Sequence, residues 1–249
     1  MSQTDPGSRR LQDYREHYRR DAEAIIDPGA LPPTRRASEE RRFEALVRLL
    51  QPRSGERLLD MGCGSGWLAE RCRQAGARVW AADIALTGVA GARARFPQVP
   101  HYQVADVYHL PFAAGGFDAV LLSEVAEHLE DLDRAFAELA RLLRPGGRLL
   151  VSVPYRETIL EHLCIHCNRL TPANAHLHSF DEAKLAACLR GAGLEPYASL
   201  RVNNKVLELI GAPRLLQAWP FWVWRSLDRL GNLLVGRAAF LGLVAGKPA

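Results

Sequence analysis

The sequence predicts an α/β fold: a mostly parallel sheet with helices on both faces. Three observations carry that expectation. Between residues 57 and 154, short apolar runs alternate with amphipathic segments, the pattern of strands joined by helical crossovers. A glycine-rich turn, Gly62-Cys63-Gly64-Ser65-Gly66, links the first of these strands to a helix. Asp83, Asp106 and the pair Ser123-Glu124 then stand where the next three strands end. Ligands in such sheets bind outside the carboxyl ends of the strands.

The totals narrow the class. At 249 residues, 48 % hydrophobic and 24 % charged, the chain has material for one large domain, with or without a small appendage. A spread net charge of +4 gives no reason to expect nucleic acid. The first residues lack the basic-then-apolar pattern of a signal peptide, and the five cysteines are an odd number. Together these suggest a reducing, cytoplasmic setting. No apolar run reaches the length of a membrane span.

Taken in order, Leu11, Tyr14, Tyr18, Ala22 and Ile25 recur at helical spacing and predict a helix over 11–26, closed by Asp27-Pro28-Gly29. Ser38 is placed to cap a second helix whose stripe is Phe43, Leu46, Val47 and Leu50. Arg57 to Met61 reads as the first strand. After the glycine turn, Trp67, Leu68, Ala69 and Cys72 give helical spacing.

The turn lets backbone approach a ligand, because glycine has no Cβ and tolerates positive φ. A dinucleotide site would need G-x-G-x-x-G. Here the spacing is G-x-G-x-G, and Trp67 stands where the third glycine would fall. Asp60, two residues before Gly62, would repel a pyrophosphate and attract a cation. S-adenosylmethionine, which has no phosphate but has an ammonium and a sulfonium, fits better. A nicotinamide-dependent reductase is disfavoured by the same two residues.

Arg78 to Ile84 is the second strand. Asp83 lies 21 residues beyond Gly62, where an acid can accept from ribose hydroxyls of any adenosine ligand. A helix follows over Gly88 to Phe96, then a third strand over His101 to Ala105. The fourth strand is Phe117 to Ser123, which runs into Glu124 and, four residues on, His128. An amphipathic helix over Asp131 to Arg144 leads to a fifth strand over Gly147 to Pro154.

Asp60, Gly62, Gly64 and Gly66 match D-x-G-x-G-x-G, and Asp106, Leu110, Pro111 and Phe112 match D-x-x-x-L-P-F. Leu143 to Pro154 reads L-x-P-G-G-x-L-L-x-S-x-P. On these motifs the chain resembles the class I S-adenosylmethionine-dependent methyltransferases, and among them the ubiquinone and menaquinone biosynthesis group. The resemblance implies a Rossmann-like sheet of seven strands, the sixth over Tyr197 to Val202 and an antiparallel last strand over Phe240 to Ala245. It implies one domain over 38–249 after a helical extension over 1–37, with acceptor-side insertions near 155–180 and 205–237.

It also implies cofactor contacts from Asp60, Gly62, Cys63, Gly64, Gly66, Asp83 and Ile84, with Asp106 at the adenine amino group, Val107 on its ring, and Ser123 and Glu124 facing the methyl group. The implied reaction is methyl transfer to a small-molecule acceptor, apolar or lipid-like, with His128 or His176 as the base. The alternative is a non-catalytic S-adenosylmethionine-binding or zinc-knuckle interaction protein.

Two segments stand apart. His162, Cys164, His166, Cys167, His176 and His178 fall within 17 residues. Cys164 and Cys167 have C-x-x-C spacing, followed by Asn168, a residue that tolerates a left-handed conformation; with His176 and His178 they could hold a structural zinc. The rival reading places His176 in the acceptor pocket, without metal. Residues 215–235 hold three of the five tryptophans, interrupted by Pro220, Arg225, Asp228 and Arg229. This stretch suits packing on the sheet, a peripheral membrane contact, a dimer face or a lid.

Overall fold

The computed structural model describes residue 11 and residues 13–24, 27–165 and 168–249. Two helices come first, α1 (Tyr14–Ala24) and α2 (Pro33–Leu50). Then strands and helices alternate except between β3 and β4: β1 (Arg57–Met61), α3 (Trp67–Gln74), β2 (Arg78–Asp83), α4 (Leu86–Arg95), β3 (His101–Val104), β4 (Phe117–Ser123), α5 (Leu132–Leu142) and β5 (Leu143–Pro154). A hairpin of β6 (Glu161–Leu163) and β7 (Leu170–Pro172) leads to α6 (Glu182–Gly191) and β8 (Glu195–Asn204). Three helices, α7 (Lys205–Leu209), α8 (Ala212–Leu215) and α9 (Phe221–Val235), precede β9 (Ala238–Gly246).

Seven strands form one sheet in the order β3-β2-β1-β4-β5-β9-β8. Strands β1 to β5 are parallel. The last strand, β9, runs antiparallel between β5 and β8, as the resemblance implied. The strand order reverses between β1 and β4, and such a switch opens a crevice at the strand ends.

The apolar runs explain the layers. Along β4, Ala119 and Leu121 pack in one core and Val120 and Leu122 in the other. Alternate side chains of a strand face opposite ways, so a strand covered on both faces reads as continuously apolar. One core is closed by Leu46 and Leu50 of α2 with Ala69 and Cys72 of α3. The other is closed by Phe136 and Leu139 of α5 and Leu185 and Leu189 of α6.

One expectation changes. Helix α2 begins at Pro33, not at Ser38. Proline at the first turn loses no hydrogen bond and presets φ, so the helix starts there and buries Ser38, whose hydroxyl and carbonyl accept from Asn203 Nδ2, each at 3.0 Å. Within 155–180, β6 and β7 are exposed strands pairing Glu161 with Pro172 and Leu163 with Leu170. The turn between them does place Asn168 at φ 51°, with its N–H on Cys164 O at 3.0 Å. The residues 215–235 form α9 and its approach, and among the described residues no helix is long and apolar enough to cross a membrane.

Candidate active site

A cavity of about 630 Å³ opens at the carboxyl ends of β1 to β4, within the size range of small-molecule sites. Its floor is the glycine turn. Gly62 N–H and Cys63 N–H both donate to Ala82 O, at 2.8 and 2.9 Å, and Gly66 N–H donates to Cys63 O at 2.8 Å. Gly62, Gly64 and Gly66 have φ of 79°, 47° and 81°, values that cost other residues strain.

The three glycines do different work. A Cβ on Gly62 would lie 2.2 Å from Val125 Cγ2, whereas one on Gly64 would meet nothing within 4 Å. Gly62→Ala should therefore lose roughly 2–4 kcal/mol of stability, from the clash and the backbone strain together. Gly64→Ala should show only the strain. Urea unfolding of both variants checks this, and equal losses would remove Val125 from the explanation.

Three acids ring the turn, and each is held differently. Asp60, at the end of β1, is 1 % exposed. Ala69 N–H hydrogen-bonds its carboxyl, but Oδ2 has no partner among the described residues. Burial first, then the charge of Asp83, pushes its pKa up to about 7. Asp83 is tied down by Gly64 N–H on Oδ2 and Ala85 N–H on Oδ1, both at 2.9 Å. Burial still raises its pKa.

Asp106 accepts from Tyr108 N–H at 2.9 Å and, through Oδ2, from Tyr14 OH at 2.8 Å and Arg15 Nε at 3.1 Å. Burial works to raise its pKa, but these bonds outweigh it and hold the group below the usual carboxylate range. Tyr14 lies on α1, so this helix is strapped across the adjoining wall. Tyr18 OH accepts from Glu130 N–H at 2.7 Å in the same strap. Burial, Asp60 and Asp83 push the Cys63 thiol well above its ordinary value, which makes it an inert part of the turn rather than a nucleophile.

The far wall holds a second charged group. Glu124 has φ 56°, a left-handed conformation uncommon outside glycine and a mark of strained, functional positions. Its Oε1 accepts from Ser152 Oγ at 3.2 Å and lies 3.5 Å from Arg42 Nη1. Arg42, from α2, also donates to Ser123 Oγ at 3.1 Å and to Glu39 Oε2 at 2.6 Å. Burial raises Glu124 to about 7. A quarter of its side chain, 26 %, is exposed toward the cavity.

Glu127 is 1 % exposed, and neither carboxylate oxygen has a partner among the described residues. Burial, then Glu124, pushes its pKa well up. His128 Nδ1 approaches Asp21 Oδ2 to 3.1 Å but off the line of a hydrogen bond, so it has no bonding partner among the described residues. Burial, His176 and His17 lower its pKa to about 3, so its ring is neutral at physiological pH. His176 stacks edge-on against His128 with centroids 4.7 Å apart, and its Nδ1 forms a short hydrogen bond with Glu157 Oε2.

The zinc expectation finds no support among the described residues. Cys164, His176 and His178 form no cluster of ligand atoms among the described residues. Leu177 N–H and His178 N–H both bond Glu127 O, at 2.7 and 3.1 Å. That pulls His176 into the cavity, while His178 Nε2 reaches Leu129 O at 2.8 Å. Cys164 stays on the outlying hairpin, and Cys167 lies outside the described residues. Glu127, His128 and His176 do offer ligand atoms within 4.8 Å of one another, a nitrogen-and-oxygen set acceptable to several divalent cations.

Residues 34–199 match a family model described as a methyltransferase domain. A probable S-adenosylmethionine-dependent methyltransferase of Mycobacterium tuberculosis is 36 % identical over 211 residues, covering 84 % of this chain and 68 % of that protein. The chain belongs to the class I S-adenosylmethionine-dependent methyltransferases. A ubiquinone biosynthesis O-methyltransferase of Xanthomonas axonopodis pv. citri is 37 % identical over 164 residues, covering 62 % of this chain and 68 % of that one. The chain spans between 47 % and 68 % of the length of the curated relatives it matches. Among solved structures, the [4+2]-cyclase SpnF superposes with a TM-score of 0.60 at 22 % identity, covering 84 % of this chain and 81 % of that one. The fold is thus shared with a protein named a cyclase, and function must be argued from the site.

In this methyltransferase, the cavity brings together Asp60, Gly62, Cys63, Gly64, Asp83, Ile84, Asp106, Val107, Ser123, Glu124, His128 and His176, all expected from sequence. Gly66 sits behind them as the cap of α3. Sequence reasoning missed Arg42, Glu127, Glu157 and Asp21. Only Glu127 had a signal, its place beside His128.

Proposed function

We propose that this methyltransferase moves the methyl group of S-adenosylmethionine to a hydroxyl of a small acceptor with an apolar body. One observation carries the reading: an orphaned buried carboxyl, Asp60 Oδ2, and an imidazole backed by a carboxylate, His176 with Glu157, belong to one cavity wall system. The first suits a cationic donor, and the second suits an acceptor that must lose a proton. The Xanthomonas relative is named an O-methyltransferase, which agrees with an oxygen acceptor.

S-adenosylmethionine supplies an electrophilic methyl carbon with a neutral thioether as leaving group. Asp60 and the glycine turn would hold its charged end, Asp83 its ribose, and Asp106 with Val107 its adenine. The open side of Gly64 leaves room for it. Positioning the acceptor oxygen in line supplies much of the rate. Glu157 keeps the proton of His176 on Nδ1, which leaves Nε2 to take the acceptor's proton. His128, neutral through burial, packs against that ring and is the weaker base.

The test uses isotopically labelled S-adenosylmethionine with a panel of phenols carrying alkyl or prenyl tails, and with amines of matched shape. Phenols should be methylated. His176→Ala should lower kcat about 100-fold, and Glu157→Gln about 10-fold, in the range of general-base contributions. The Glu157→Gln loss should shrink as pH rises and the phenol ionises unaided. Methylation of amines only, or full activity in His176→Ala, would sink the assignment. Loss of activity on chelation, restored by Mg²⁺ or Mn²⁺, would move Glu127, His128 and His176 from proton transfer to metal binding.

A further inference from the structure

Helix α9 is built inside out. Its buried residues, Trp224, Asp228 and Asn232, recur every fourth position and face the domain. Two of the three are polar, and they are satisfied there. Asp228 Oδ1 accepts from Asn204 N–H at 2.7 Å, and its Oδ2 accepts from Arg225 Nη1 at 2.9 Å. Asn204 Nδ2 donates to Asn232 Oδ1 at 2.9 Å. The opposite side carries Trp222, Leu227, Leu230, Leu233 and Leu234, with Trp222 70 %, Leu233 79 % and Leu234 74 % exposed. A surface helix normally shows the reverse pattern.

The neighbouring turns extend the apolar surface. Helix α7 packs against α9 and exposes Leu209 and Ile210, and the approach to α9 exposes Leu215 and Trp219. A contiguous apolar patch of this kind marks an interaction site. The charges around it choose the occupant. Between residues 205 and 237, the exposed charged side chains are Lys205, Arg214, Arg229 and Arg237, all cationic. The two acids of the stretch are withdrawn: Asp228 is buried and Glu208 half-buried. None of the four cations makes an ion pair among the described residues.

We propose that the α7–α9 face docks this chain on an anionic lipid surface. The leucines and Trp222 enter the boundary between head groups and acyl chains, and the four cations meet lipid phosphates. A second copy of the chain is the poorer occupant, because a two-fold interface would set the same cationic rim against itself. The face also has a path to the cavity. Arg41 Nη2 donates to the carbonyls of Leu216 and Trp219 at 2.7 and 2.8 Å, so the approach to α9 is fixed to α2, which places Arg42 in the cavity wall. Docking does not depend on which acceptor the cavity takes, so the two readings fail separately.

The full chain is floated with vesicles of phosphatidylcholine alone and with about one third phosphatidylglycerol. It should bind the anionic vesicles, with tryptophan fluorescence shifting to the blue, and release as salt is raised. Leu233→Asp with Leu234→Asp should abolish flotation while S-adenosylmethionine binding by calorimetry stays unchanged. Arg214→Glu and Arg229→Glu should each weaken binding about 5-fold or more, following the worth of one cation near an anionic surface. No binding to anionic vesicles, or equal binding by the Leu233→Asp, Leu234→Asp variant, overturns the proposal. So does a dimer in light scattering that this variant converts to monomer, which would assign the face to a second copy.

Discussion

Asp60→Asn should stabilise the ligand-free protein at pH 8 and at the same time weaken S-adenosylmethionine binding by roughly 10- to 100-fold, about the loss of one buried charge partner. The opposite signs come from one cause. In the folded chain, burial and Asp83 raise Asp60 to about 7 from the 3.8 of the free side chain. Between those two values the folded state holds a proton that the unfolded state has released. Stability of the empty protein therefore falls as pH rises through that window and levels off above about 7. The full span amounts to roughly 4 kcal/mol. Asparagine removes that cost but places a new amide donor where Oδ2 had no partner, which costs roughly 1–3 kcal/mol.

The net should be a gain of about 1–3 kcal/mol at pH 8, or roughly 2–12 °C in Tm for a domain of this size. At pH 4 the gain should vanish or reverse, because Asp60 is protonated already. Wild-type affinity for the donor should climb between pH 6 and pH 8 as the carboxyl ionises, and the variant should lose that climb. Calorimetric titration and thermal melts at both pH values check the pair of effects. A variant that binds the donor as tightly as wild type would mean that Asp60 faces no cation.

What the sequence reveals here is what neighbours in the chain decide. The glycine turn, Asp83 and the parallel strands are written in local spacing, since Leu58 and Leu59 or Leu121 and Leu122 must be buried on alternate faces wherever the strand lies. The acceptor wall is not local. Arg42, Glu127 and Glu157 come from three separate segments and meet only once α2 crosses the strand ends. In the histidine and cysteine segment, closeness in sequence does not by itself give closeness in space. Two backbone bonds to Glu127 O carry His176 inward, while Cys164 lies in the turn of the β6–β7 hairpin. In α9 the sequence shows leucines and polar residues both at helical spacing. Which side faces inward is decided by Asn204, 24 residues from its partner Asp228.

Arg42→Met should be the most destabilising change in the cavity wall, at roughly 3–5 kcal/mol, the usual cost of removing one partner from a buried charge group. Arg42 is 6 % exposed. Its guanidinium serves Glu39, Ser123 and Glu124 at once, and its carbon lies 5.0 Å from the Phe43 ring centre and 4.7 Å from that of Phe240. Burial works against its charge, but Glu39 and Glu124 outweigh that and its pKa is raised. Methionine keeps much of the packing and removes the charge together with its hydrogen bonds to Glu39 and Ser123.

Glu124, already raised to about 7, should then rise further above the 4.5 of the free side chain. A carboxyl raised on folding costs stability above its unfolded pKa, so the loss should grow from pH 5 to pH 8. Adding Glu124→Gln should recover part of the stability at pH 8 and little at pH 5, and urea unfolding of the single and double variants measures the coupling. An equal loss at both pH values would mean that Arg42 holds the wall through its stacking on Phe43 and Phe240, and that its charge is incidental.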